Sequence, residues 1–332
     1  MNQAQAAEAF FPDIGGSMKV FYSLSELSQV PGPLYVAIGV FDGVHLGHQT
    51  LIRRAMDEAA RAQGSAVVLT FHPHPARVLR PDSAPHLLTS TPHKLRLIEE
   101  LGCRYLLQTT FDAAFAAQPP ETFIEALVQS AGSLRMVCVG HNWAFGRGRS
   151  GNVALLAALG ERFGFETLEI DPVEVNGELV SSTRIRKAVE AGDFETARRF
   201  LGRDYTILGT VLRGAGRGRE IGFPTANLSA HNERFPPNGV YAVRALLDFR
   251  WLEGVANVGV RPTIGSALER VLEVHIFNYS GDCYGHDLEV KFERFLRPER
   301  KFSSIEELRE QIVRDATEAL QILNAQPSMP HA

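Results

Sequence analysis

Leu34–Val40 (LYVAIGV) is a short, nearly continuous apolar run, the pattern of a strand buried on both faces. The turn FDGVHLGH follows it. Over Gln49–Gln63 the apolar residues Leu51, Ile52, Ala55, Met56, Ala59 and Ala60 then recur at helical spacing. Gly64 is read as the glycine that stops this helix. Ala66–Phe71 is the next buried strand, so strand, helix and strand make a parallel βαβ unit. The alternation continues with helix Lys94–Leu101, strand Tyr105–Gln108, helix Glu121–Ser130, strand Met136–Val139, helix Val153–Phe163 and strand Thr167–Ile170. Five strands with intervening helices predict an open, Rossmann-like parallel α/β sheet.

The pattern changes near Leu201-Gly202-Arg203. Arg186–Leu201 reads as two short connecting helices split at Gly192. Beyond it, Thr206–Leu212, Gly239–Phe249, Leu252–Val258, Leu272–Phe277 and Leu288–Phe295 are strand-like runs separated by Gly and Pro turns. That spacing predicts a small antiparallel β-barrel. Ser303, with Glu306 three residues on, reads as the capping box of a terminal helix. The apolar face of that helix is Ile305, Leu308, Ile312, Val313, Ala316, Ala319 and Leu320. The expected division is a domain over 18–186, a helical linker over 187–203 and a barrel domain over 204–326. Met1–Ser17 and Asn324–Ala332 read as loose ends.

A length of 332 residues fits two domains of about 100–200 residues each. With 34 Lys+Arg against 38 Asp+Glu, the net charge of −4 argues against general nucleic-acid or membrane-surface binding. No apolar stretch approaches the ~20 residues of a membrane span, and Met1–Ser17 has neither the charge nor the apolar run of a signal peptide. Cys103, Cys138 and Cys283 lie far apart and suit neither a disulfide framework nor a CxxC metal site. The expectation is a reduced, cytoplasmic compartment. Oligomeric state is open.

Candidate chemistry sits on turns after strands. Gly39-Val40-Phe41-Asp42-Gly43-Val44-His45-Leu46-Gly47-His48 joins the first strand to its helix. A helix N-terminus offers free N–H groups and a positive dipole end to phosphate. His45 and His48 can donate to phosphate oxygens as charge builds, and Gly47 keeps the backbone approachable. H-x-x-H spacing also occurs in metal sites, but no third ligand lies nearby in the chain. Ser181-Ser182-Thr183-Arg184-Ile185-Arg186 opens a later helix, where hydroxyls and cations together suit a polyphosphate; alone, it would read as an ordinary N-cap.

In the second half, Gly209–Leu228 carries Gly214, Gly216, Gly218 and Gly222, which permit a loop that folds over phosphates, or simply a flexible hairpin. No helix pattern follows and no GK[ST] closes it, so it is neither a dinucleotide fingerprint nor a P-loop. Thr225 and Asn227 of Pro224-Thr225-Ala226-Asn227 offer neutral oxygens suited to a hard cation. Glu273 and His275 alternate with Leu272, Val274 and Ile276, so the two polar residues share one strand face. By default such an acid simply faces solvent.

HxGH early and S-S-T-R-I-R late resemble the nucleotidylyltransferase superfamily. Together with Thr70–Pro75 (TFHPHP) and Gly140–Gly146 (GHNWAFG), they resemble the adenylyltransferase module of the prokaryotic bifunctional riboflavin kinase/FAD synthetases. P-T-A-N, Asn238–Tyr241 (NGVY) and Asn257-Val258-Gly259 resemble the riboflavin kinase module, and the likeness spans about Lys19 to Leu323. It implies an N-terminal nucleotidylyltransferase domain and a C-terminal kinase barrel with a terminal helix. The implied substrates are riboflavin, FMN and ATP, with Mg²⁺ or another divalent cation.

The resemblance also implies roles. Glu273 would be the kinase base, Thr225 and Asn227 the metal and phosphate ligands, and Gly214, Gly216, Gly218 and Gly222 the phosphate loop. Gly39, Phe41, Asp42, Gly43, Asn142, Ser181, Ser182, Thr183, Arg184 and Arg186 would bind nucleotide, with His45 and His48 at the transferring phosphoryl group. The family often carries an acid near His141, so Asn142 is a departure. Two other readings are a single-activity nucleotidylyltransferase with a spent barrel, and a non-enzymatic flavin sensor. Each should have lost Glu273 or His48, and this chain keeps both.

Overall fold

The computed structural model describes residues 17–214, 218, 221–231, 234–262 and 268–325. The chain divides into two compact units. One runs up to Pro85 and resumes over Thr91–Ser181; the other takes His86–Ser90 together with the chain from Ser182 onward.

The first unit holds a six-stranded sheet: β1 (Lys19–Phe21), β2 (Leu34–Ile38), β3 (Ser65–His72), β4 (Tyr105–Thr110), β5 (Leu134–Gly140) and β6 (Glu166–Ile170). All pairs are parallel, in the order β1-β4-β3-β2-β5-β6. The longer helices of this unit are α1 (Leu46–Arg61), α2 (Thr91–Glu100), α3 (Pro120–Ala131) and α4 (Val153–Phe163). Alternation along each strand feeds two cores. Val36, Ile38, Val67, Leu69, Val137 and Val139 pack with Phe123, Ile124, Leu127 and Leu156. Tyr35, Ala37, Val68, Leu106, Met136 and Cys138 pack with Leu51, Ile52 and Ala55 on the other side. The strand order turns back between β2 and β5. The turns after those strands therefore flank the crevice where open α/β sheets bind ligands.

Four readings of this unit need correction. The sheet has a sixth strand, β1, too short to show a pattern. A two-stranded hairpin, β7 (Glu174–Val175) and β8 (Glu178–Leu179), follows β6. Helix α1 begins at Leu46 rather than Gln49, because His45 caps it. Gly64 is not the left-handed stop: Gln63 takes φ 53. Gly64 is needed for close approach, since a Cβ there would lie 2.4 Å from the Pro33 carbonyl.

The second unit opens with α5 (Ser182–Ala191) and α6 (Phe194–Leu201). It continues as a closed antiparallel barrel: β9 (Thr206–Leu212), β10 (Ala226–Ala230), β11 (Gly239–Leu247), β12 (Arg250–Pro262), β13 (Leu268–Ile276) and β14 (Asp287–Arg297). The order is β10-β13-β12-β11-β14-β9. Closure leaves no open edge. The barrel has six strands, not five, because Ala226–Ala230, which starts inside P-T-A-N, is itself a strand. Helix α7 (Ile305–Ala325) packs Ala319 and Leu323 against Val240, Ala242 and Val255.

The cap of α7 falls one residue later than read. Ser304 Oγ accepts from Glu307 N, and Glu307 Oε2 accepts from Ser303 N and Oγ. Ile305 (63% exposed) and Val313 (48% exposed) stand off its packed face, contrary to the pattern-based face. Helix α5 starts at Ser182, inside the Ser181–Arg186 segment read as opening a helix. The cysteines are free thiols, and no described helix is long and apolar enough to cross a membrane.

Candidate active sites

In the first unit, the turn from β2 to α1 holds Gly39, Phe41, Asp42, Gly43, His45 and His48. Phe41 takes φ 55 and the β-branched Val44 takes φ 39, a strained conformation of the kind that clusters at functional sites. Asp42 and His45 are buried, and His48 is half-buried. His45 caps α1: its Nδ1 accepts from His48 N at 3.3 Å. With Nδ1 accepting, Nε2 is the ring nitrogen of neutral His45 that carries the proton. The two rings stack with centroids 3.5 Å apart, and Phe41 meets His48 edge-on at 5.3 Å.

Neighbouring turns of this unit supply further groups. His72, at the end of β3, shares a hydrogen bond with Thr91 Oγ1 at 2.9 Å. Burial first, then Lys94 and Arg77, push its pKa below the ordinary histidine range, favouring neutral imidazole. After β5, His141 pairs with Glu169, Asn142 is exposed, and Trp143 stacks on Phe145 at 4.3 Å. Ser181 ends the first unit. Ser182, Thr183, Arg184 and Arg186 open α5 in the second, where Arg186 Nε donates to His86 O at 2.8 Å.

In the barrel, β13 pairs with β10 on one side and β12 on the other, placing Glu273 opposite both Asn227 and Asn257. Directly opposed residues point to the same face. Leu272, Val274 and Ile276 are buried while Glu273 and His275 are not, as the alternation requires. His275 Nδ1 donates to Pro224 O at 2.7 Å, fastening the P-T-A-N segment to β13. Arg261 Nη2 donates to Glu273 Oε1 at 3.1 Å.

Two cavities meet here. One of about 560 Å³ is lined by Arg213, Gly214, Thr225, Asn227, Asp282 and Tyr284. The other, about 360 Å³, is lined by Phe223, Thr225, Asn257, Glu273, Phe302 and Ile312, among others. Thr225 and Gly218 line both. Gly222 has φ 87, and Gly216 lies outside the described residues. The Asn227 amide packs so closely on Gly214 that a Cβ there would fall 2.3 Å from Nδ2. Thr225 and Asn227 fit a hard cation held mainly by substrate phosphates, because they are neutral oxygen donors lining a cavity of ligand size. No cluster of three or more His, Cys, Asp or Glu with metal-binding potential occurs among the described residues.

A family model for FAD synthetase matches residues 27–184, and one for riboflavin kinase matches residues 201–323. Over 300 residues the chain is 37% identical to the bifunctional riboflavin kinase/FMN adenylyltransferase of Escherichia coli (strain K12), covering 90% of this chain and 96% of that one. The identity to the Haemophilus influenzae protein of the same description is 36% over 309 residues, covering 93% of this chain and 100% of that one. For the Bacillus subtilis (strain 168) protein it is 36% over 290 residues, covering 86% and 91%. The chain belongs to the bifunctional riboflavin kinase/FMN adenylyltransferase family.

Among solved structures it resembles one described as a macrolide-efflux protein from Streptococcus pneumoniae. The TM-score is 0.74 at 28% identity, covering 90% of this chain and 97% of that one.

The FAD synthetase unit also contains a residue that the motifs did not single out. Lys94 of α2 is buried and reaches the ends of β2 and β3. Its signal in the sequence is position: it sits three and four residues before Leu97 and Ile98 on the buried face of α2.

Proposed function

We infer that the protein makes FAD from riboflavin in two ATP-dependent steps, one in each domain of the family. The observation that carries the kinase half is the row Asn227–Glu273–Asn257 beside two cavities that share Thr225 in their linings. Riboflavin would occupy the cavity with Glu273, and ATP the one with Asn227. Glu273 takes the proton of the ribityl 5′-hydroxyl. That oxygen attacks the γ-phosphorus in line, the bond from γ-phosphorus to the β,γ-bridging oxygen breaks, and FMN and ADP result. Thr225 and Asn227 would hold Mg²⁺, which when bound would neutralise phosphate charge, and by family motif Gly214, Gly216, Gly218 and Gly222 would form the phosphate loop.

In the adenylyl step a phosphate oxygen of FMN attacks the α-phosphorus of a second ATP. The bond to the β-phosphate breaks and pyrophosphate leaves, with no protein nucleophile. His48 and Nε2 of His45 donate to the transferring group at the start of α1, and Gly39, Phe41, Asp42 and Gly43 shape the nucleotide-binding turn. By family motif, Ser181, Ser182, Thr183, Arg184 and Arg186 take nucleotide and pyrophosphate, and Asn142 contacts nucleotide. The domain boundaries 18–186, 187–203 and 204–326 and a cytoplasmic setting belong to the same reading.

Chromatography of flavins after incubation with riboflavin, ATP and Mg²⁺ tests it. FMN should appear first and FAD after it. Absence of FMN or of FAD would overturn the corresponding half.

A further inference from the structure

Lys94 stands where a lysine is costly. Its side chain is buried in the FAD synthetase unit on α2, beside the buried Leu97 and Ile98. A buried ammonium persists only where its N–H groups are satisfied. Nζ donates to Thr70 Oγ1 at 3.0 Å, to Val40 O at 3.3 Å and to Phe71 O at 3.4 Å. Thr70 Oγ1 in turn donates to Val40 O at 3.1 Å. The three N–H donors thus meet three acceptors from two neighbouring strand ends. Val40 immediately precedes the turn with Asp42, His45 and His48, and Phe71 immediately precedes His72-Pro73-His74. One cation therefore ties both histidine-bearing turns together from beneath.

We infer that Lys94 is a positioning residue for adenylyl transfer: it locks the ends of β2 and β3 and sets a fixed positive charge under the phosphate-binding turn without touching substrate. The inference rests on the reading of the β2–α1 turn as the phosphate site. A preorganised charge in a low-dielectric surrounding stabilises negative charge that develops nearby, with no reorganisation during reaction.

Titration gives the role a signature. Burial lowers the Lys94 pKa from 10.5 to about 8, against the opposing pull of the Asp42 carboxylate. The other groups around it are His72 at the end of β3, Arg77 behind His72, and His93 on α2 itself. His72 is pushed below its ordinary value of 6.5. Because the folded-state pKa of Lys94 is the lower one, the unfolded chain binds more protons between about pH 8 and 10.5. This group therefore makes the fold more stable as pH rises through that window. FAD formation should move the other way, since deprotonation removes the charge beneath the turn. A purely structural lysine would not give these opposed signs.

The test uses the full chain with FMN, ATP and Mg²⁺, and follows FAD formation from about pH 6.5 to about 9.5. The wild-type kcat should fall as pH passes about 8, with no loss of folded protein. In Lys94→Met that alkaline limb should be gone. At neutral pH its kcat should be about 100-fold lower, with KM for FMN within about threefold of wild type. A near-wild-type far-UV circular dichroism spectrum with a cooperative melting transition for each unit reports correct folding, and riboflavin phosphorylation by the same molecules should be unchanged. A folded Lys94→Met with kcat within about threefold of wild type, or a wild-type profile flat across the range, overturns the inference. Should Lys94→Met not fold, the wild-type profile alone decides. A wild-type protein that makes no FAD from FMN at any pH overturns the underlying reading and the role of Lys94 with it.

Discussion

Asn227 and Glu273 are direct cross-strand partners in the β10–β13 ladder. Their side chains leave the barrel on the same face, and each lines a different one of the two cavities that meet at Thr225. A phosphate donor beside Asn227 and an alcohol beside Glu273 would face each other across one strand spacing, about 5 Å. Neighbouring sites of this kind suit direct transfer between bound substrates, with the reacting atoms brought to about 3–3.5 Å and no phosphorylated protein intermediate.

Glu273→Gln tests the proposed base. It keeps the shape and a hydrogen-bond acceptor for Arg261 but cannot take a proton. General-base catalysis contributes typically about 10²–10⁴ in rate, or roughly 3–5 kcal/mol of barrier. Kinase kcat should fall within that range, ATP affinity should stay nearly constant, and FMN-to-FAD conversion should be normal. A change below about threefold, the size of an ordinary surface substitution, would remove Glu273 from the chemistry and turn suspicion to His275.

Gly214→Ala tests the fit between the glycine loop and Asn227. The added methyl would stand 2.3 Å from Asn227 Nδ2, so the amide or the loop must move. Asn227 sits on a strand held from both sides by β9 and β13, so the loop should yield first. The expected outcome is a KM for ATP raised about tenfold in the kinase reaction, roughly 1.4 kcal/mol, with melting temperature nearly unchanged. An unchanged KM would show that the loop does not close on the nucleotide.

His45 and His48 divide one site between structure and chemistry. His48→Ala should abolish FAD formation and spare FMN formation, measured with FMN and riboflavin as separate substrates. Equal loss of both activities would sink the assignment of two sites. His45→Ala should add a stability cost of about 1 kcal/mol, because it also removes the cap on α1. His45→Asn restores a capping acceptor and should recover that stability without recovering FAD formation.

Long, strongly patterned elements were legible and short or doubly constrained ones were not. Leu34–Ile38 and Leu134–Gly140 announce themselves because both faces are buried. Lys19–Phe21 gives only three residues of pattern, and its place beside β4 is a tertiary fact. Ala226–Ala230 alternates well enough for a strand, but its polar positions, Asn227 and Ser229, read first as site chemistry. The HxGH turn could be placed from sequence, whereas the burial of Lys94 could not, because a lysine on an apolar stripe usually extends its ammonium to water. The segment His86–Ser90 joins the second unit through contacts such as Arg234 N to Leu87 O at 3.0 Å, which no local pattern encodes.

Those contacts bear on where the kinase can be cut free. The riboflavin kinase match begins at residue 201, while the compact unit also contains α5 and α6. Phe194 of α6 stacks on Phe292 of β14 with centroids 5.5 Å apart and meets Tyr241 edge-on at 6.1 Å. A fragment spanning Tyr205–Gln326 keeps all six barrel strands and α7, and should make FMN from riboflavin unaided. It gives up the Phe194 contacts, and aromatic pairs are worth about 0.5–1.5 kcal/mol each beyond the area they bury. A longer fragment starting at Ser182 should therefore melt several degrees higher at similar kinase kcat. Both fragments lack Leu87, so that loss cancels in the comparison. If only the longer fragment is active, the boundary belongs at Ser182. If neither is active while the full chain is, the barrel is not an independent enzyme.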